Sequence, residues 1–206
     1  VHWDEAGQVW GVTLHEDVLA VSKDPQTFSN AGGIRPDADP LPHMIDLDDP
    51  AHRRRRALVN KGFTLGRVAG REARIREIAV GLIDHNRAKG SFDFVMELAA
   101  WLPLVVIGDM LGIERDHYPK LLEWSDILLR GPGGGPEALA RATQAYVEYN
   151  DYQRQVIADR RAKPPQDDLV SILVHAGLDG ERLDDDTILS ESLLILIGGD
   201  ETTRHV

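Results

Sequence analysis

The chain has 206 residues, 42% of them apolar and 28% charged, which fits one large globular domain or two small ones. Its longest apolar run, Leu193 to Ile197, is far below the roughly 18 residues of a membrane span, and no signal peptide is read. The absence of cysteine excludes a disulfide framework, a thiolate zinc site and a cysteine nucleophile within these residues, while a net charge of −11 argues against a general polyanion binder. The expected location is cytoplasmic.

His2 to Thr13 places Trp3, Val9, Trp10 and Val12 around Glu5-Ala6-Gly7-Gln8, the pattern of a short hairpin. Leu14 to Ser22 reads as a short helix ended by Asp24-Pro25. Ser29 to Pro42 is rich in Gly, Pro and Asp, and loops of that length are more often binding elements or lids than connections. Asp49-Pro50 opens a helix through about Lys61, with proline near its first turn. This helix begins a basic segment. Residues 51–90 hold eleven Lys/Arg against three acids, a balance of +8 that leaves −19 on the rest. Arg53 to Arg56 point around the whole helix, so at least one faces inward and needs an anion there.

From Leu65 onward the pattern is helical almost throughout. Helices are predicted over Arg67 to Lys89, Phe94 to Leu111 (with Pro103 inside), Arg115 to Arg130 and Pro136 to Ala162, the last two separated by Gly131-Pro132-Gly133-Gly134-Gly135. Leu169 to Ala176 forms another, and a polar turn, Gly177 to Gly180, precedes a final helix capped near Asp184-Asp185-Asp186. The fold class is mainly α with a little β at the start. No cap, Gly or Pro stops the last helix before Val206, so part of the protein is expected to lie outside these residues. The histidines His2, His15, His43, His85, His117, His175 and His205 show no metal-ligand spacing.

The final helix carries the chemistry. Its middle is apolar on every side, as in a helix buried all round. Gly198-Gly199 then cost about 1 kcal/mol each relative to Ala, so something must lie against the backbone there. Asp200, Glu201, Thr202 and Thr203 follow. Buried acids are expensive unless paired or used, and a helical threonine can turn its hydroxyl onto the carbonyl one turn earlier. Close approach, a loosened groove and a hydroxyl beside a carboxylate together make a proton-delivery site against a flat ligand. From spacing alone, a helix that simply emerges into solvent at Asp200 is an equal alternative.

Leu196-Ile197-Gly198-Gly199-Asp200-Glu201-Thr202-Thr203 resembles the oxygen-activating segment of the long central helix of cytochromes P450. Met44 to Arg56 is similar to the bacterial P450 helix beneath the haem edge, and Trp10 to Phe28 looks like the family's opening. AGGIRPDADPLPHMIDLDDPAH together with LLILIGGDETTRH looks like the actinobacterial enzymes that oxidise the terminal side-chain methyl of cholesterol or cholest-4-en-3-one.

The resemblance implies a haem b cofactor (iron protoporphyrin IX), with His52 and Arg56 on its propionates and Ile45, Gly199 and Thr203 against it. It implies Thr202 as the hydroxyl that serves bound dioxygen, Glu201 and Asp200 as proton relay, and Met44, Ile195 and Gly198 at the substrate. The loop over residues 31–43 would help wall the channel. A ferredoxin with its reductase, O2 and a sterol are the implied partners, with no nucleic acid and no membrane span. His52 and Arg56, four residues apart, share a helix face, and Arg supplies a forked donor suited to a carboxylate.

The family's axial ligand is a cysteine thiolate, and this chain has none. Residues 1–206 are therefore expected to form the N-terminal half of one P450 domain, inactive alone, with no metal ligand of its own. Glu201-Thr202-Thr203-Arg204 repeats the letters of the family's Glu-x-x-Arg pair in a different helix, a coincidence of spelling. Other readings stay open: a P450 acting on another lipid or a macrolide, a degenerate haem protein, or a non-catalytic helical fragment that binds nucleic acid through Arg53 to Arg56.

Overall fold

Tryptophans on either side of a four-residue polar turn close the start of the chain into the predicted hairpin. Strands β1 (His2–Asp4) and β2 (Val9–Gly11) pair antiparallel with Trp3 opposite Trp10, their rings 5.0 Å apart. The structure is a computed structural model that describes residues 1–36, 39–130, 135–178 and 181–204. They divide into two units, Val1–Ala57 and Leu58–Val206.

In the first unit, α1 (His15–Lys23) carries Glu16 and Asp17 in its first turn and Lys23 in its last, each complementing the helix dipole. Asp48 ties back the Gly-Pro loop, accepting from Ser29 Oγ at 2.5 Å and from Asn30 N–H at 2.8 Å. Those two bonds hold its carboxyl below the usual range. Asp37 and Ala38 of that loop lie outside the described residues. A 3-10 turn over Met44–Asp46 follows, with buried Asp46 accepting from Leu41 N–H at 2.7 Å. Helix α2 (Ala51–Asn60) runs on from there.

The second unit departs from the predicted helices at several places. The helix expected over residues 67–89 is two, α3 (Leu65–Ala69) and α4 (Glu72–Arg87), broken at Gly70-Arg71. Leu65 is 91% exposed and Val68 50%, so little apolar burial favours carrying the helix across that glycine. Ahead of α5 (Trp101–Leu111), residues Val95–Ala99 form a wide π-type turn in which Ala100 N–H donates to Val95 O at 2.8 Å. Pro103 explains it, because its ring excludes a regular bond to the carbonyl of Ala99, four residues back. The polar turn after α8 (Leu169–His175) is a second small hairpin, β3 (Gly177–Leu178) with β4 (Glu181–Arg182).

Helix α7 (Pro136–Ala162) stands as predicted, with Pro136 opening it, and α6 (Tyr118–Arg130) begins three residues later than expected, after a 3-10 turn over Arg115–His117. Of the glycine break between them, residues 131–134 lie outside the described set. The central element is α9 (Asp185–Arg204), which packs on α5, α6, α7 and α8. Asp184 caps it, its carboxylate accepting from Thr187 N–H at 2.6 Å. Ile188, Ser192 and Leu196 are fully or almost fully buried and recur every four residues, the stripe that seats α9 in the core. No described helix is long and apolar enough to cross a membrane.

One carboxylate knits α6 to α7. Glu148 accepts from Gln144 Nε2 at 2.9 Å and from Trp124 Nε1 at 3.0 Å, with Lys120 Nζ at 3.0 Å. These donors push its carboxyl down to about 2 from the ordinary 4.5. A depressed acid stabilises the fold above its ordinary value and loses that contribution as pH falls toward the depressed one. Thermal melts over that interval are expected to show a loss of stability on acidification that is smaller in Glu148→Gln. An equal slope in the variant would contradict the assignment.

Candidate active site

At the end of α9 the threonine does what its spacing predicts. Thr202 Oγ1 donates to Gly198 O, one turn back, at 2.7 Å, and both residues are exposed. A methyl group built on Gly198 meets nothing within 4 Å among the described residues. Ile195, seven residues before Thr202, lies on the same side by helical period and is 8% exposed. Gly198 and Thr202 thus form an open strip with bare backbone beside a hydroxyl, with buried Ile195 at its inner end. Thr203 is exposed next to it.

The neighbouring glycine has another task. A methyl group on Gly199 would lie 2.8 Å from Ile107 Cδ1 and 2.9 Å from Cγ1, so Gly199 is where α9 crosses α5. Gly199→Ala is expected to lose about 1–3 kcal/mol by overpacking. Gly198→Ala is expected to gain about 0.5–1 kcal/mol from helix propensity while narrowing the strip. Thermal melts of both variants separate the two roles, and equal stability changes would contradict them.

The two acids between Gly199 and Thr202 diverge. Asp200, expected beside Glu201 in the relay, is fully buried and turned toward α6, where its Oδ2 accepts from Ser125 Oγ at 2.7 Å. Its Oδ1 is buried without a hydrogen-bond partner among the described residues. Burial raises its carboxyl pKa, against the Ser125 bond and the Arg204 charge, which lower it; Glu201 and Asp126 add to the rise. Glu201 is half-buried and forms an ion pair with Arg204. The Arg204 side chain, 6% exposed, also reaches Asp126 of α6 at 3.2 Å, and Arg130 Nε donates to Asp126 at 2.9 Å. Burial opposes the charge on Asp126, and the two arginines outweigh it, holding that carboxyl below the usual range.

Ser125 and Asp126 are site neighbours that sequence reasoning missed, since only the packing of α6 on α9 brings them there. Arg204 did carry a signal, lying three residues after Glu201 and four after Asp200 on one helix. The Glu201-to-Arg204 spelling is therefore a real ion pair.

The remaining predicted residues sit in the first unit. Met44 is buried and Ile45 half-buried in the 3-10 turn. On α2, His52 is half-buried with Nδ1 3.7 Å from Asp49 Oδ1, and Arg56 is exposed one turn later. The arginine that turns in from the basic run is Arg55. Its Nη1 donates to Pro42 O at 3.0 Å.

No protein-family model matches the chain. Over 195 residues it is 51% identical to the steroid C26-monooxygenase of Mycobacterium tuberculosis, covering 94% of this chain and 49% of that one. Its fold superposes on a cytochrome P450 of Mycobacterium marinum solved with pseudoionone, with a TM-score of 0.86 and 30% identity over 95% of this chain and 50% of that one. The chain belongs to the cytochrome P450 family. A Bacillus megaterium P450 solved with testosterone is also similar, at TM-score 0.78 and 30% identity over 98% of this chain and 52% of that one. The chain spans about half the length of the curated P450 relatives it matches.

Membership of the P450 family implies a haem, and the residues present fit one in part. An exposed Arg56 with His52 one turn before it offers donors for the carboxylates of a haem edge. The open Gly198–Thr202 strip suits a flat group lying against bare backbone. The axial thiolate cannot come from these 206 residues, which contain no cysteine.

Proposed function

We propose that this chain is part of a haem-thiolate monooxygenase that hydroxylates the terminal side-chain methyl of cholesterol or cholest-4-en-3-one. The observation that carries the reading is the 51% identity to a steroid C26-monooxygenase over 94% of the chain. The overall reaction takes one O2, two electrons and two protons, places one oxygen in a C–H bond and releases the other as water. The bound haem b supplies the iron at which oxygen is reduced.

The chain's own residues hold, orient and move protons around that chemistry. His52 and Arg56 would hold the propionates by charge-assisted bonds, with Ile45 and Thr203 against the ring, while Gly199, expected there too, is taken up by the crossing on Ile107 of α5. Gly198 and Ile195 leave and shape the space beside it, and Met44 bounds the substrate. The Thr202 hydroxyl, which donates to Gly198 O in this structure, would exchange that bond for one to ordered water on the open strip and so pass a proton toward the oxygen substrate. Glu201, beside it, brings protons from solvent. Electrons come from a ferredoxin and its reductase, for which the basic run over residues 51–90 supplies steering more than affinity. Residues 1–206 act as the N-terminal half of one such domain, in the cytoplasm.

The test is turnover of cholest-4-en-3-one by the complete protein with ferredoxin, ferredoxin reductase and NAD(P)H, the product identified by mass spectrometry. A terminal side-chain alcohol is expected. Turnover of fatty acids or macrolides with none of sterols would contradict the substrate assignment.

A further inference from the structure

Position 200 is an unusual place for a carboxylate, because α9 is seated in the core on α5, α6, α7 and α8 and Asp200 lies on its buried side. We propose that Asp200 is a positioning residue and not a proton carrier: with Ser125 it pins the Gly198–Thr202 turn of α9 onto α6. The inference rests on reading that turn as the oxygen-side wall of the active site.

Three observations carry it. Asp200 Oδ2 takes the Ser125 hydroxyl at 2.7 Å, and Ser125 Oγ lies 3.2 Å from Leu122 O, so the serine links the carboxyl to the backbone of α6. Asp200 is fully buried while Thr202 is exposed, and two residues along a helix turn a side chain by about 200°, so no direct path joins the two. A second contact lies one turn further on, where Arg204 reaches Asp126, the residue after Ser125. Consecutive residues of α6 therefore hold α9 at positions 200 and 204, on either side of Glu201 and Thr202. Arg204 shares its guanidinium between Asp126 and Glu201, so the same fastening orients the Glu201 carboxylate.

The charged surroundings suit a fixed fastening. Glu201 and Arg204 on α9 and Asp126 on α6 act on Asp200, and Arg130 on α6 is held by Asp126. On α5, Asp109 is taken by Arg74 and Tyr118, and on α7, Glu148 by Lys120, Trp124 and Gln144. The titratable side chain of α8 is His175. Burial leaves Asp200 easier to protonate than a surface carboxylate. A raised acid contributes its stability at low pH and loses it as pH climbs out of the ordinary carboxylate range.

The experiment compares Asp200→Asn, Asp200→Ala, Ser125→Ala and Thr202→Ala in the complete haem-loaded protein, reading product per NAD(P)H and, separately, thermal stability against pH. A positioning role predicts that Asp200→Asn, whose amide can still bond Ser125, keeps neutral-pH stability and most of the coupling. It predicts that Asp200→Ala and Ser125→Ala both lose coupling, between roughly ten- and a hundredfold, as expected for a displaced catalytic turn. It also predicts that the loss of stability with rising pH is weaker in Asp200→Asn than in the parent. A proton carrier gives the opposite pattern, with Asp200→Asn as uncoupled as Asp200→Ala and Ser125→Ala like the parent, and that result overturns the proposal. If Thr202→Ala stays coupled, the reading of the turn as the oxygen wall fails on its own, while the melts still decide whether Asp200 and Ser125 act together.

Discussion

Replacing Thr202 by alanine is expected to leave electron uptake running while product per NAD(P)H falls by an order of magnitude or more, with the missing electrons recovered as hydrogen peroxide. The hydroxyl donates to Gly198 O at 2.7 Å, on an exposed strip where no other described side chain is hydrogen-bonded to it. Alanine removes the one donor on that strip while keeping the helix, since its propensity is the higher of the two. A positioned proton donor contributes roughly 10²–10⁴-fold, so the loss belongs at or below the lower end, with water replacing it in part. Thr202→Ser, which keeps the hydroxyl, is expected to restore most of the coupling. Unchanged coupling in the alanine variant would remove Thr202 from the mechanism.

The largest stability effect is expected at Asp168, far from this strip in sequence. Arg160, 12% exposed at its side chain, donates from Nε to Asp168 Oδ2 at 2.8 Å and from Nη2 to Gly112 O at 2.8 Å. Asp168 also caps α8, accepting from Ser171 N–H at 2.7 Å. One buried cluster therefore joins the end of α5, the end of α7 and the start of α8. Gly112 sits at φ +74°, and a methyl group there would lie 2.5 Å from Arg160 Nη2, so both conformation and space demand glycine. Asp168→Ala leaves a largely buried guanidinium with Gly112 O and the more exposed Asp159 carboxylate beside it, and removes the cap. The expected cost is about 3 kcal/mol, from a guanidinium that loses its most buried carboxylate partner and from the lost cap. Equilibrium denaturation measures it, and a cost below about 1 kcal/mol would show that the cluster is dispensable.

Most helices were legible because their cause is local. Apolar period, Asp and Pro at helix starts, and glycine breaks place α5, α6, α7 and α9 close to where they lie. The features missed depend on packing or on competition between local signals. Gly70 reads as tolerable in a helix until the exposure of Leu65 and Val68 removes the reason to continue through it. Pro103 was visible, but the wide turn that accommodates it was not.

At the site, Thr202 bonding back to Gly198 follows from residue type and spacing alone. The separate tasks of Gly198 and Gly199 do not, because Ile107 of α5 distinguishes them. Asp200 likewise looks like a second relay carboxylate in sequence, and only Ser125, 75 positions earlier, shows where it points. Of the four arginines, the sequence shows that one must turn inward, and Arg55 reaches the Pro42 carbonyl, a contact no spacing rule predicts.

The central claim is that these residues belong to a haem-thiolate oxygenase, and the reduced, CO-bound absorption spectrum of the protein purified from cells expressing its gene tests it most directly. A strongly red-shifted Soret band is predicted, since it requires both haem and a cysteine thiolate on the iron. A Soret band at the unshifted position, or no haem at all, would contradict the account.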